Sequence, residues 1–332
     1  MQNMFRIPFI LFLHLFVSSR AAPPPLTPEI IQQAGGGLIN QPPPQTLSAP
    51  TLDLVQLAQF ISNEKLAYFD FGIENIPKWG LGDFPNNTLE IIQSFRAQAI
   101  VDLNSAEGLL TLFDRPTIPA CQYDWNQPGI DINSTDGYLG IAKVVIEPSE
   151  AANIAFTNTA ALNDPTVAYT GASAAAVEAR QDAWLRTLAG QKPAPHPWDT
   201  IIPSEWAYLV YQNFVVPGSC PVALPYRTLN PFYGDFGALS LKTVFGPTLQ
   251  FFFNPDTTPA PPPGGCYFVA WINQLNKPIY TRLHLTAPGQ GTTDVPAELT
   301  GVIYAALTST EEPTDVAGVD KVLLAGPFLA GR

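Results

Sequence analysis

Residues 171–190 read GASAAAVEARQDAWLRTLAG. Alanine, leucine, glutamate, glutamine and arginine are strong helix formers, and Gly190 and Pro193 close the run. Within it Glu178 and Gln181 lie three apart and follow the spacing of Ala174 and Leu185, so two polar side chains share a helix face with apolar ones. A helix that turns a carboxylate toward its apolar side needs partners on other helices, because a buried Glu is costly unless paired or metal-bound.

The partners are sought upstream. In LDLVQLAQFISNEKLAYFDFG, residues 52–72, Leu54, Leu57, Ile61, Tyr68 and Phe71 recur at three- and four-residue steps. A second helix is expected from about Asn87 to Leu112, with Ile92, Phe95, Ala99, Ala106 and Leu109 on one side and Arg115-Pro116 beyond its end. A third, Thr135 to Leu162, contains Pro148, which should kink it or split it. One further helical stretch, Ser204 to Phe214, leads into Cys220. Beyond residue 220 the pattern changes to short apolar blocks, LSLKTVFG, TLQFFFN, CYFVAWIN, PIYTRLHL and GVIYAALTS, separated by Gly, Pro and Asn, which reads as antiparallel strands. The expected class is α+β: a four-helix bundle over residues 51–216, then a β-rich, sandwich-like module over 217–310 that either stands alone or packs on the bundle. Residues 23–50, with APPPLTP and QPPPQTLSAP around GGG, read as extended linker with no packed core. Residues 311–332 carry no assignment.

The N-terminus suggests export. One positive charge precedes the apolar run Ile7–Val17, and small residues follow at Ser18, Ser19, Ala21 and Ala22, the form of a signal peptide over residues 1–22. No later stretch has the 18 or so uncharged apolar residues of a membrane span. Sequons at Asn86 and Asn133 fit a secreted glycoprotein. Of three cysteines, Cys121 and Cys220 each follow a helical segment and are the expected disulfide, which leaves Cys266 as a buried thiol at the head of a strand. Acidic groups outnumber basic ones 28 to 16, which excludes a nucleic-acid surface built on clustered Lys and Arg.

Polar positions on the apolar stripes are the candidate site. Glu64 lies three after Ile61 and four before Tyr68, and Asp102 three after Ala99 and four before Ala106. Glu147 and Glu150 straddle Pro148, and either could point inward. Ferritin-like carboxylate proteins place a Glu on each of two helices and Glu-x-x-His on the other two. The competing readings are that Glu64 pairs with an Arg or sits at the rim, and that Glu178 bridges Arg180 at the surface.

The run AAAVEARQDAWLR at 174–186, HPWDT at 196–200, ACQYDW at 120–125, Cys220-Pro221 and TTDVPAELTGVIYAALTS at 292–309 resemble a fungal secreted family. That family carries a ferritin-like domain and includes proteins named for stress response and late sexual development. The resemblance covers about residues 50–310 and implies a ferritin-like bundle with a β-rich C-terminal region. It also implies a metal site, and here this sequence departs from the pattern. The fourth-helix Glu-Ala-Arg-His stands as Glu178-Ala179-Arg180-Gln181, and the second-helix Glu-x-x-His as Ala99-Ile100-Val101-Asp102. Glu64 matches the first-helix Glu, and Glu147 or Glu150 the third. The only histidines are His14, His196 and His284, none in a mature bundle helix.

These features point to a secreted, non-catalytic scaffold without a cofactor, structural, protective or storage in role, associated with cell wall or extracellular matrix. The alternative is a metal-dependent oxidoreductase or metal binder, in which Glu64, Asp102, Glu150 or Glu147, Glu178 and Gln181 hold one Mn, Ca or Mg ion through oxygen. In a third reading, the aromatic strands around Phe251–Phe253 and Tyr267–Trp271 bind glycan, although such aromatics are more simply β core. No Gly-x-Ser-x-Gly, His-Glu-x-x-His or P-loop occurs.

Overall fold

A computed structural model describes residues 22–126, 132–234, 241, 246–261 and 263–331. The signal-peptide reading of residues 1–22 falls almost wholly outside them, as does most of the LSLKTVFG block. Six helices come first: α1 (Pro28–Ala34), α2 (Ala49–Trp79), α3 (Thr88–Leu112), α4 (Thr135–Asn163), α5 (Pro165–Leu188) and α6 (Ser204–Gln212). Helices α2 to α5 form the bundle, with α2 packed on α3 and α4, and α4 on α5.

Residue 164 alone connects α4 to α5. Its carboxylate accepts hydrogen bonds from Ser48 N at 3.1 Å and from the Ser48 and Thr51 hydroxyls at 2.5 Å, so the tightest turn of the bundle also ties down the first turn of α2. Pro165 opens α5, which therefore starts six residues earlier than the glycine of the 171–190 run suggests. Gly72 marks a close helix approach: a Cβ there would fall on the Tyr138 ring. That ring stacks on Tyr68 with centroids 4.6 Å apart.

Two expectations need correction. Pro148 does not split α4. Its flanking residues Val145, Ile146, Glu147, Ala151 and Ala152 are all buried, and that packing outweighs a local cost of about 3 kcal/mol. Tyr211 Oη donates to the Val145 carbonyl in the turn that the proline ring disturbs. Residues 23–50 are not a coreless linker. Thr27 caps α1, Pro28 occupies its first turn, Gly35 closes it at φ 78°, and Leu26 and Ile30 pack on Leu66, Ile100 and Leu103.

The C-terminal half forms two antiparallel four-stranded sheets. In one the order is β1 (Phe232–Gly234), β2 (Thr248–Phe253), β6 (Gln290–Asp294), β5 (His284–Ala287). In the other it is β4 (Ile279–Arg282), β3 (Phe268–Asn273), β7 (Val302–Thr308), β8 (Leu323–Gly331). The chain crosses between sheets at buried Leu283, within the PIYTRLHL block. Residues 311–332, unassigned from sequence, hold α7 (Val316–Lys321) and β8, which pairs with β7. The sheets enclose Phe251, Trp271, Phe253, Tyr267 and Phe328, so most of the aromatics considered as a glycan surface are core; Phe252 alone of the Phe251–Phe253 run faces outward. Cys266 is half-buried and precedes β3 rather than lying in it. The second sheet has another buried side: Ala270, Ile272, Tyr304 and Ala306 join the bundle core. Every residue of β7 is consequently buried. The module is both a sandwich and a sheet docked on helices.

Cys121 is bonded to Cys220 across 99 residues. The bond sits in a small ladder, with Asp124 N donating to Phe214 O at 2.8 Å and Val216 N to Gln122 O at 2.9 Å. It fastens the long α3–α4 crossover to the segment after α6. Closing so long a loop restricts the unfolded chain strongly. Replacing both cysteines with serine should therefore lower unfolding free energy by about 2–4 kcal/mol in denaturant titrations. A loss well under 1 kcal/mol would show the ladder holds the crossover unaided.

Candidate functional site

All four bundle helices turn ionisable or polar side chains inward, and the structure sorts them into three groups. The first centres on Lys65 of α2, which is 2% exposed. Its Nζ lies 2.5 Å from Glu178 Oε1 of α5 and donates to Ser149 Oγ of α4 at 3.4 Å. Ser149 Oγ also donates to Glu178 Oε1, and Asn153 Nδ2 donates to Oε2 at 2.7 Å. Burial alone pulls the lysine pKa down, but Glu178 and Asp102 outweigh it and hold the ammonium above its ordinary value. Asp102 of α3 is half-buried within the field of this pair. Desolvation pushes its carboxyl up to about 6, with Lys65 opposing and Glu178 reinforcing the shift.

The second group centres on Arg186 of α5, 1% exposed. It donates to Glu147 Oε1 at 2.9 Å and to Asp182 Oδ2 at 2.5 Å. Burial, then Asp182, raises the Glu147 carboxyl to about 7 against the pull of Lys143 and Arg186. Glu150 is buried beside them. Desolvation, with Asp199, Asp182, Glu178 and Glu147, pushes it up to about 10, so it stays a neutral acid at pH 7. Both glutamates that straddle Pro148 thus face inward.

The third group is Glu64. It is 0% exposed, and neither carboxylate oxygen finds a hydrogen-bond partner among the described residues. Burial holds it well above the usual carboxylate range, and the phenols of Tyr123 and Tyr211 feel its charge. Neither competing reading of Glu64 applies, since it lies neither at the rim nor against an Arg, and it faces inward as its place on the apolar stripe predicts. Gln181 turns from the carboxylates to Gln98, its Nε2 donating to Oε1 at 2.7 Å. Glu178 takes Lys65 as its partner, while Arg180 is exposed.

Of the residues singled out from sequence, Glu178 and Asp102 come together, Glu150 joins the Arg186 group, and Glu64 and Gln181 stand apart. Lys65 and Arg186 escaped notice. The spacing held the signal for Lys65, four after Ile61 and three before Tyr68, on the same stripe as Glu64.

Residues 51–191 match the model of the ferritin-like domain family, from the first turn of α2 to just past α5. Helices α2 to α5 are thus a ferritin-like domain, joined to a β sandwich at its C-terminal side. No curated protein matches the sequence. The fold class implies a bridged metal pair held by carboxylates and imidazoles. The donors here do not fit it. The Lys65 ammonium holds Glu178, and Arg186 holds Glu147 and Asp182. Glu150 keeps its proton, Gln181 offers only a neutral amide oxygen, and Glu64, whose oxygens are unpartnered, stands apart from the other carboxyls with burial disfavouring its charged form. Among the described residues no three His, Cys, Asp or Glu side chains converge as metal ligands.

Four carboxyls, the buried Glu64, Glu147 and Glu150 and the half-buried Asp102, bind protons more tightly folded than unfolded, where such groups titrate near 4. Their stabilising contribution is complete below that value and is lost as pH rises, through about 6 and 7 for Asp102 and Glu147 and toward 10 for Glu150. Asp164 has the opposite sign. Burial works against it, but the bonds from Ser48 and Thr51 prevail and lower its pKa, so its contribution disappears only in stronger acid. Thermal melting should be highest near pH 4–6 and fall by ~5 °C or more by pH 9. Glu150→Gln should flatten the alkaline limb; an unchanged slope would refute the assignment.

Proposed function

We propose that this protein is a non-catalytic scaffold in which a ferritin-like bundle keeps its shape without a bound cofactor. One observation carries the reading: the Lys65 ammonium sits on Glu178 in the bundle interior. Two metal ions beside that ammonium would face a fixed positive charge and too few free anionic donors. Lys65 therefore supplies from within the chain the positive charge that relatives of this architecture obtain from metal. The role that suits such a molecule is structural, protective or storage.

The proposed location is outside the cell, at the wall or matrix. The disulfide is compatible with an oxidising compartment. No helix among the described residues is long and apolar enough to cross a membrane. Asn86 and Asn133 are both exposed, as glycan acceptors must be. N-terminal sequencing of exported protein should begin directly after Ala21 or Ala22, with glycans at both asparagines; a mature form retaining Met1 would sink the export reading.

The scaffold reading is tested by elemental analysis of protein produced with excess iron and manganese. Well under one metal ion per chain is expected, and about two would overturn the proposal. Lys65→Met strands the buried Glu178 charge and should cost about 3–5 kcal/mol of stability. The double variant Lys65→Met, Glu178→Gln should recover most of that loss. Failure to recover would mean that Lys65 acts through packing rather than charge.

A further inference from the structure

The charged centre of the bundle is not sealed. A cavity of about 580 Å³ opens between α2, α3, α4 and α5 and reaches inward to Asp102 and Glu178. This volume is in the range of small-molecule sites, and the lining has their usual composition, apolar walls with a few convergent polar groups. Leu57, Ile61, Ala106, Phe156 and Val177 form walls, while Ser149, Asn153 and Gln98 stand near the polar end. The mouth is bordered by residues 34–37 and Ile39 from the strap after α1. That strap is held in place: Ser94 Oγ donates to Gln33 O at 2.9 Å, and Gln98 Nε2 to Ala34 O at 3.4 Å.

The charges inside the cavity do not balance. Glu178 is matched by Lys65, and its oxygens are occupied by Lys65, Ser149 and Asn153. Asp102 borders the same cavity, and no described residue donates a hydrogen bond to it. Arg180, the cation at the mouth, is exposed. The polar end therefore lacks one positive charge with hydrogen-bond donors, at the foot of an apolar channel. A carboxylate head group would meet two carboxylates there, and a purely apolar guest would leave Asp102 unpaired.

We propose that this cavity is a binding site for a small amphiphilic primary amine, its aliphatic body between the four helices and its ammonium on Asp102. The proposal rests on the Lys65–Glu178 pairing above, which leaves Asp102 as the free anion. No chemistry is performed on the guest; the site captures or carries it.

The test is calorimetric titration of the full mature chain at neutral pH with n-octylamine and, separately, with octanoate. Metal content is measured on the same sample. Octylamine should bind at least tenfold more tightly than octanoate. Asp102→Asn, nearly isosteric at a half-buried position, should remove most of that difference. Val177→Trp, which fills the channel without touching Asp102, should abolish binding while circular dichroism stays unchanged, and it carries the test should the Asn variant not fold. Octylamine that does not bind at millimolar concentration, binds no better than octanoate, or binds equally well to a folded variant overturns the proposal. A metal-free sample that ignores octylamine sinks the cavity reading alone, whereas a metal-loaded sample sinks the scaffold reading.

Discussion

Four helices that turn carboxylates inward must cancel that charge from within, and two cations do so. Lys65 reaches from α2 to α5 and touches α4 through Ser149; Arg186 reaches from α5 to α4. The Lys65 contact joins helices distant in sequence, the Arg186 contact two consecutive ones, and removing either cation leaves carboxylate stranded in a low-dielectric interior. Glu150 is neutralised by keeping its proton instead, and Glu64 has neither device except protonation. A cation carried on the chain cannot be chelated away, cannot exchange with another metal and has no second oxidation state. On the scaffold reading proposed above, a bundle neutralised in this way needs no metal supply and offers no redox centre.

The elements around this centre are fastened at points that suit the same constraint. The Cys121–Cys220 bond fixes the long α3–α4 crossover together with the backbone ladder beside it and with Gln56, Gln59 and Asn63 of α2, which bond to Pro116 and Ile118. Asp164 locks the α4–α5 turn to the start of α2. The strap around α1 closes over Leu66, Ile100 and Leu103. These restraints limit the relative sliding of α2, α4 and α5, and sliding is what would part Lys65 from Glu178.

Much of the fold was legible in the sequence, because helical spacing and short apolar blocks report local geometry directly. Helices α2 and α3, the start of α4, the end of α5 and strands β2, β3 and β7 all lie close to where periodicity put them. The failures have tertiary causes. Pro148 allowed a split as well as a kink because its cost is local, whereas the burial that keeps α4 in one piece comes from other helices. Proline-rich composition hid α1, whose short apolar side gains a core only from α2 and α3. The tail stayed unread because β8 makes sense only as the partner of β7. At the candidate site, spacing picked out Glu64, Asp102, Glu178 and Gln181 as inward-facing but could not say which of them meet. Lys65 shares the stripe of Glu64 by the same arithmetic, yet attention to ligand types passed over a residue that cannot ligate while charged. Pairing is a property of side chains from different helices, and one helix's period does not contain it.

β7 belongs to two interiors at once, with Ile303, Ala305 and Leu307 facing the sandwich and Val302, Tyr304 and Ala306 facing the helices. Neither half can lose this strand and keep a closed core. Melting of the sandwich strips a wall from the bundle, and loosening of the helices uncovers the back of the sheet. The two architectures are therefore one cooperative folding unit with no internal seam, so a protease could not release either half in native form. A gene fragment ending after α6 would encode a bundle with a permanently wet flank, and such a pairing can be inherited only whole.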